Sequence, residues 1–177
     1  MGPSPPRADR PQQATSAPAS TAEPNPARWR ALVVSQIAAF MVLLDVSIVN
    51  VAIPSIERDL GATAADVQWV VSGYSLTFGL VLVGAGRLGD VLGRRRMFLI
   101  ALTAFVVTSG LSGAAPDIAL LIAARLVQGV AGGMLIPQNS GLIQDLFRGP
   151  ERGRAFGILG ATIGLATAAM MPVATRV

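Results

Sequence analysis

The stretch Gly86-Arg87-Leu88-Gly89-Asp90-Val91-Leu92-Gly93-Arg94-Arg95-Arg96 decides the fold of this 177-residue chain. It is basic and punctuated by glycine, and it lies between two segments without charge. Val67 to Gly86 carries none, and neither does Met97 to Pro116. About 20 apolar residues match the thickness of a bilayer core. A connection this short makes the two flanking helices antiparallel neighbours, and its arginines indicate the side of the membrane on which it sits.

Working outward, five apolar spans are expected, at about residues 31–53, 67–88, 97–115, 118–143 and 155–174. Asp45 is the one charge inside the first and Arg125 the one inside the fourth. Thr63 and Asp66 form a capping-box pattern just before the second. Segments apolar on nearly every face differ from the shorter amphipathic helices of a water-soluble core. The fold class that follows is all-α and integral to a membrane, with the lipid bilayer as its main partner.

Composition agrees. The chain is 52% hydrophobic and 14% charged, all 14 of its cations are arginine, and it has neither Cys nor His. Disulfides, zinc ligation and histidine acid–base chemistry are therefore excluded. The net charge of +4 does not argue for nucleic acid, because the arginines sit between apolar spans rather than along one solvated face. No nucleophile–base pair and no metal cluster is visible, so an enzyme, a cofactor or a metal is not expected. Gly84-Ala85-Gly86-Arg87-Leu88-Gly89 matches the dinucleotide pattern G-x-G-x-x-G, but it lacks the preceding strand and the acidic residue about 20 positions on.

Residues 1–27 are a different material. Seven of the twelve prolines lie there, among Ala, Ser, Thr and Gln. Such a segment buries too little surface to offset its ordering entropy and is expected to be a disordered cytoplasmic tail, leaving 28–177 as the membrane domain. It has no secretory-signal pattern, and Pro6 stands where a myristoylation signal needs Ser or Thr. Arg7, Arg10, Arg28 and Arg30 precede the first span. Arg87 and Arg94 to Arg96 follow the second, and Arg148, Arg152 and Arg154 follow the fourth. The other two connections hold Arg58 against Glu57, Asp59, Asp66 and Asp117. This alternation puts the N-terminus in the cytoplasm of a multi-pass protein of the cell membrane.

A charge inside a span costs roughly 2.5–3.5 kcal/mol on insertion scales and marks function by default. At about 1.5 Å rise per residue, Asp45 lies about 21 Å past Ala31, near 9 Å from the outer edge of a core about 30 Å thick. Arg125 lies about 10 Å past Ile118, counted from outside. The two fall at similar depth and are expected to interact, directly or through water. Either the pair only fixes helix packing, or protonation of Asp45 releases Arg125. Gln36, Asn50 and Gln128 either line a polar cavity or hydrogen-bond helix to helix. Trp69 and Tyr74 are expected at the outer interface and Trp29 at the inner one. Pro137 is expected to kink the fourth span. Gly129 with Gly133, Gly153 with Gly157, and Gly160 with Gly164 repeat as G-x-x-x-G, a pattern for close helix packing.

Taken together, these motifs resemble the major facilitator superfamily. Gly86, Leu88, Asp90, Gly93, Arg94 and Arg95 stand where the family's turn between its second and third helices reads G-x-L-a-D-r-x-G-r-r/k, with departures at Gly89 and Val91. Leu44 to Pro54, reading LDVSIVNVAIP, is similar to the first-helix signature of the fourteen-helix drug:proton antiporter branch, with Ser47 in place of its usual Thr. Leu121 to Gly133 resembles the fourth-helix signature at Arg125, Gln128 and Gly129. Gly160, Gly164 and Pro172 resemble the fifth-helix antiporter signature, which is lost at Met171 and Thr175-Arg176.

The resemblance implies a partial N-terminal half of such a transporter, about five helices of its first six, and not competent alone. It implies a proton-coupled exporter of small, amphipathic or cationic compounds. Asp45, Arg125, Asn50 and Gln128 would serve proton coupling and the cavity. Gly86, Asp90, Gly93, Arg94 and Arg95 would form a conformational latch, and Gly129, Gly133, Gly160 and Gly164 would pack helices. Export of an amino acid or another metabolite is the alternative, as is a silent truncated membrane protein.

Overall fold

The computed structural model describes residue 2 and residues 26–174. Most of the expected tail, with Arg7 and Arg10, and the departure at Thr175-Arg176 lie outside the described residues, and nothing is assigned to the side chain of Pro172. Five helices follow one another: α1 (Pro26–Leu60), α2 (Ala64–Leu92), α3 (Arg94–Gly113), α4 (Ile118–Leu146) and α5 (Pro150–Ala174). The first four are long and apolar enough to cross a membrane. α5 has 25 residues, with Glu151, Arg152 and Arg154 in its first turns and no charge from Ala155 to Ala174.

Helix ends differ from the expected spans for local reasons. α1 begins at Pro26, inside the segment read as tail, because a proline suits the first helical turn, where its missing N–H is not needed. It also runs through Pro54 to Leu60, and its 35 residues make it about 52 Å long, so its polar ends extend past the lipid core. α2 starts on the expected capping box: the Thr63 N–H donates to Asp66 Oδ2 at 2.9 Å and the Asp66 N–H to Thr63 Oγ1 at 3.3 Å. The basic stretch 86–96 is not an extended turn. α2 continues to Leu92, α3 starts at Arg94, and the whole reversal falls on Gly93 at φ +90°, a conformation that a Cβ disfavours. Asp117 caps α4 by accepting from the Leu120 N–H at 2.8 Å. α4 remains one helix through Pro137.

α4 is the central element, packed against α2, α3 and α1, while α5 lies mainly on α1. Ala38 and Val42 of α1, Tyr74 of α2, Phe98, Ala101 and Phe105 of α3, and Ala131 and Leu135 of α4 form the main core. Gly129 and Gly133 bring α4 so close to α2 that a Cβ at either would collide with backbone, at Tyr74 and Phe78 respectively. Gly160 and Gly164 face open space instead, with nothing for a Cβ to meet. The outward faces carry large apolar residues, among them Leu80 at 77% and Val83 at 84% exposure. Such a surface is unfavourable in water and matched to lipid.

Candidate functional site

Four helices converge on one buried polar cluster. Asp45 comes from α1, Tyr74 from α2, Ser112 from α3, and Arg125 and Gln128 from α4. Arg125 and Gln128 are three apart, so they share a helix face. Arg125 Nη1 donates to Asp45 Oδ2, and the two form a salt bridge. Gln128 Nε2 donates to Asp45 Oδ1 at 2.7 Å. Both carboxylate oxygens are thus engaged. Gln128 Oε1 accepts from Arg125 Nη1 at 3.2 Å and from Ser112 Oγ at 3.3 Å. Arg125 is 2% exposed and Gln128 fully buried. The similar depth read from the sequence therefore corresponds to direct contact.

Tyr74 corrects an expectation. It does not sit at the outer interface but lies buried, with the Arg125 guanidinium carbon 4.1 Å from its ring centroid. Five residues of an α-helix turn the side chain about 140° relative to Trp69. Trp69, 55% exposed, faces outward while Tyr74 faces α4. Tyr74 Oη, Arg125 Nε and Ser47 Oγ are buried with no hydrogen-bond partner among the described residues.

The remaining sequence-selected residues divide. Asn50 is exposed on α1, away from the cluster. Gln36 is buried with neither amide atom partnered among the described residues, beside an apolar groove of about 360 Å³ between α1 and α5. At the other end of the molecule, Arg94 joins Asp90 at 2.7 Å and Asp145 at 3.3 Å, linking the ends of α2, α3 and α4. Gly141 leaves the room that Arg94 occupies. Arg95 is exposed and has no ion-pair partner among the described residues. Gly86 makes only an ordinary contact with Pro137, whereas Gly89 abuts the Gln138 side chain, whose Nε2 donates to the Ala85 carbonyl at 2.6 Å.

The sequence reading missed a second junction on this side. Arg28 Nη1 and Nη2 donate to the two Glu151 oxygens, each at 2.9 Å. Arg28 also lies over the Phe147 ring, and Trp29 meets that ring edge-on at 5.1 Å. This ties the start of α1 to the start of α5. Among the described residues no group of three or more acidic, His or Cys side chains is placed to hold a metal.

Comparison with known proteins gives the context. The chain matches the Major Facilitator Superfamily over residues 37–176. It is 46% identical to the puromycin resistance protein pur8 of Streptomyces alboniger over 80% of this chain and 28% of that protein. It is 42% identical to the probable actinorhodin transporter of Streptomyces coelicolor over 91% of this chain and 28% of that protein. The multidrug efflux pump LfrA of Mycolicibacterium smegmatis is 36% identical over 88% of this chain and 31% of its own length. The chain thus spans less than a third of the length of these curated relatives. Antiparallel apolar helices, two intramembrane charges brought into contact and a match over most of the sequence lead to one conclusion: the chain belongs to the Major Facilitator Superfamily of membrane transporters.

Proposed function

We propose that this chain is the N-terminal part of a proton-coupled exporter of small amphipathic or cationic compounds, in the fourteen-helix drug:proton antiporter branch. It sits in the cell membrane with its N-terminus in the cytoplasm. The observation that carries the coupling is the Asp45 carboxylate, held inside a span by Arg125 and Gln128 and only 9% exposed. Ionised, it balances the Arg125 charge. Protonated, it no longer does, and Arg125 is freed to seek another partner as helices rearrange. A group of this kind links proton entry to a change of conformation because the two charge states favour different packings. The resistance and efflux names of the relatives support export of a toxic small molecule.

In the same reading Gly86, Asp90, Gly93, Arg94 and Arg95 form the conformational latch at the cytoplasmic face. Arg94 is its centre, bridging Asp90 and Asp145. Gly129 and Gly133 pack α4 on α2, and Gly160 and Gly164 leave α5 smooth for a further helix of the whole transporter. Gln128 belongs to the coupling cluster through its bond to Asp45, whereas Asn50, also read as a cavity residue, stands exposed on α1.

The test is Asp45→Asn in the intact transporter, reconstituted in vesicles with an imposed pH gradient. Gradient-driven export of a cationic dye is expected to fall at least tenfold, while dye binding persists. Undiminished gradient-driven export would leave the pair a static packing element.

A further inference from the structure

We infer that Tyr74 is a positioning residue for Arg125, acting through its ring face and not through its hydroxyl. The inference rests on the proton-coupling role proposed for Asp45. Arg125 presents two different surfaces to its surroundings. One nitrogen at the edge of the guanidinium, Nη1, donates to both Asp45 and Gln128. The guanidinium carbon lies over the Tyr74 ring, 4.1 Å from its centroid. A cation within about 6 Å of an aromatic face is attracted by the ring's quadrupole, more strongly where water is excluded. Both residues are excluded from water, at 2% and 4% exposure.

The ring is itself fixed in place. Gly129 lets the α4 backbone abut the Tyr74 carbonyl, and Gly132 leaves the space that the Tyr74 hydroxyl occupies. Phe78 stacks on the ring at 6.0 Å with an interplanar angle of 27°. The hydroxyl has no partner among the described residues, so it does not explain why an aromatic side chain stands here. The charged and titratable groups at this point are Asp45 from α1, Tyr74 from α2 and Arg125 from α4. α3 contributes the Ser112 hydroxyl and no charge.

Held over the ring, the guanidinium keeps Nη1 on Asp45. With a weaker ring face the guanidinium shifts and the ion pair with Asp45 loosens.

The test keeps shape constant and changes the quadrupole. Tyr74→Phe is compared with a series in which that phenylalanine carries one, two or three ring fluorines, in the intact transporter in vesicles. Tyr74→Phe is expected to leave the pH profile of export unchanged. The fluorinated series is expected to move its midpoint stepwise with fluorine number, by about one unit at three fluorines. A series that superimposes on Tyr74→Phe overturns the inference, as does a midpoint that moves with loss of the hydroxyl alone. Asp45→Asn measured alongside separates the failures. If it abolishes gradient-driven export while the fluorinated series stays flat, only the Tyr74 role falls. If it leaves export intact, the coupling role falls and the Tyr74 role with it.

Discussion

Arg125 carries the one charge of its span, and its energetics depend on partners rather than on burial. Removing one member of a buried ion pair costs roughly 3–5 kcal/mol, because the other is stranded, whereas replacing both by apolar groups is often neutral. Asp45→Leu is therefore expected to destabilise the detergent-solubilised protein strongly, and Asp45→Leu with Arg125→Met to recover most of that loss. Unfolding followed by circular dichroism checks both, and a double variant no better than the single would contradict the pairing. These two residues were legible in the sequence because lipid makes any charge expensive, so each one demands a partner. Gln128 was legible as a polar side chain inside the same span and through the fourth-helix signature. Tyr74 was not, because the interfacial-aromatic rule considers depth along a span and ignores which face a residue occupies. Asp145 was missed for a related reason: a charge at a helix end costs little, so its presence implies nothing about a partner 51 residues earlier at Arg94.

At the scale of elements, glycine decides which helices touch. Gly133 lies against the Phe78 backbone, so Gly133→Val forces α4 off α2 and is expected to cost roughly 1–3 kcal/mol. Gly160→Val, on the open face of α5, is expected to leave the stability of this chain within about 0.5 kcal/mol. Equal losses for the two would contradict the packing. The G-x-x-x-G spacing was read alike in both helices, and only the three-dimensional arrangement separates them. Sequence spacing marks a smooth stripe but does not say what lies on it. Gly93 is a different case. At φ +90° any side chain is strained, so Gly93→Ala is expected to destabilise the α2–α3 reversal by roughly 1–3 kcal/mol, read from the same unfolding curves. An unchanged midpoint would mean that the reversal adopts another backbone conformation. The basic stretch was legible as a reversal between antiparallel helices. That it narrows to Gly93 alone was not, since Arg87 to Leu92 carry helix and motif at once.

For the whole molecule, the number of helices and the pairing of Asp45 with Arg125 follow from one physical circumstance, that the chain is dissolved in lipid. Outward faces rich in leucine and valine, a buried charge pair and arginines gathered at alternate helix ends all make sense in that solvent. The same sequence in water would expose its apolar faces and aggregate. The Arg28–Glu151 pair, which is partly exposed, adds little to this balance, and a double-mutant cycle on it is expected to give no more than about 1 kcal/mol. The most direct measurement is labelling of single engineered cysteines in intact cells with a reagent that does not cross the membrane. Ala62→Cys, between α1 and α2, is expected to react from outside, and Arg95→Cys, at the start of α3, only after the cells are opened. Reaction at residue 95 with silence at residue 62, or equal reaction at both, would contradict the account.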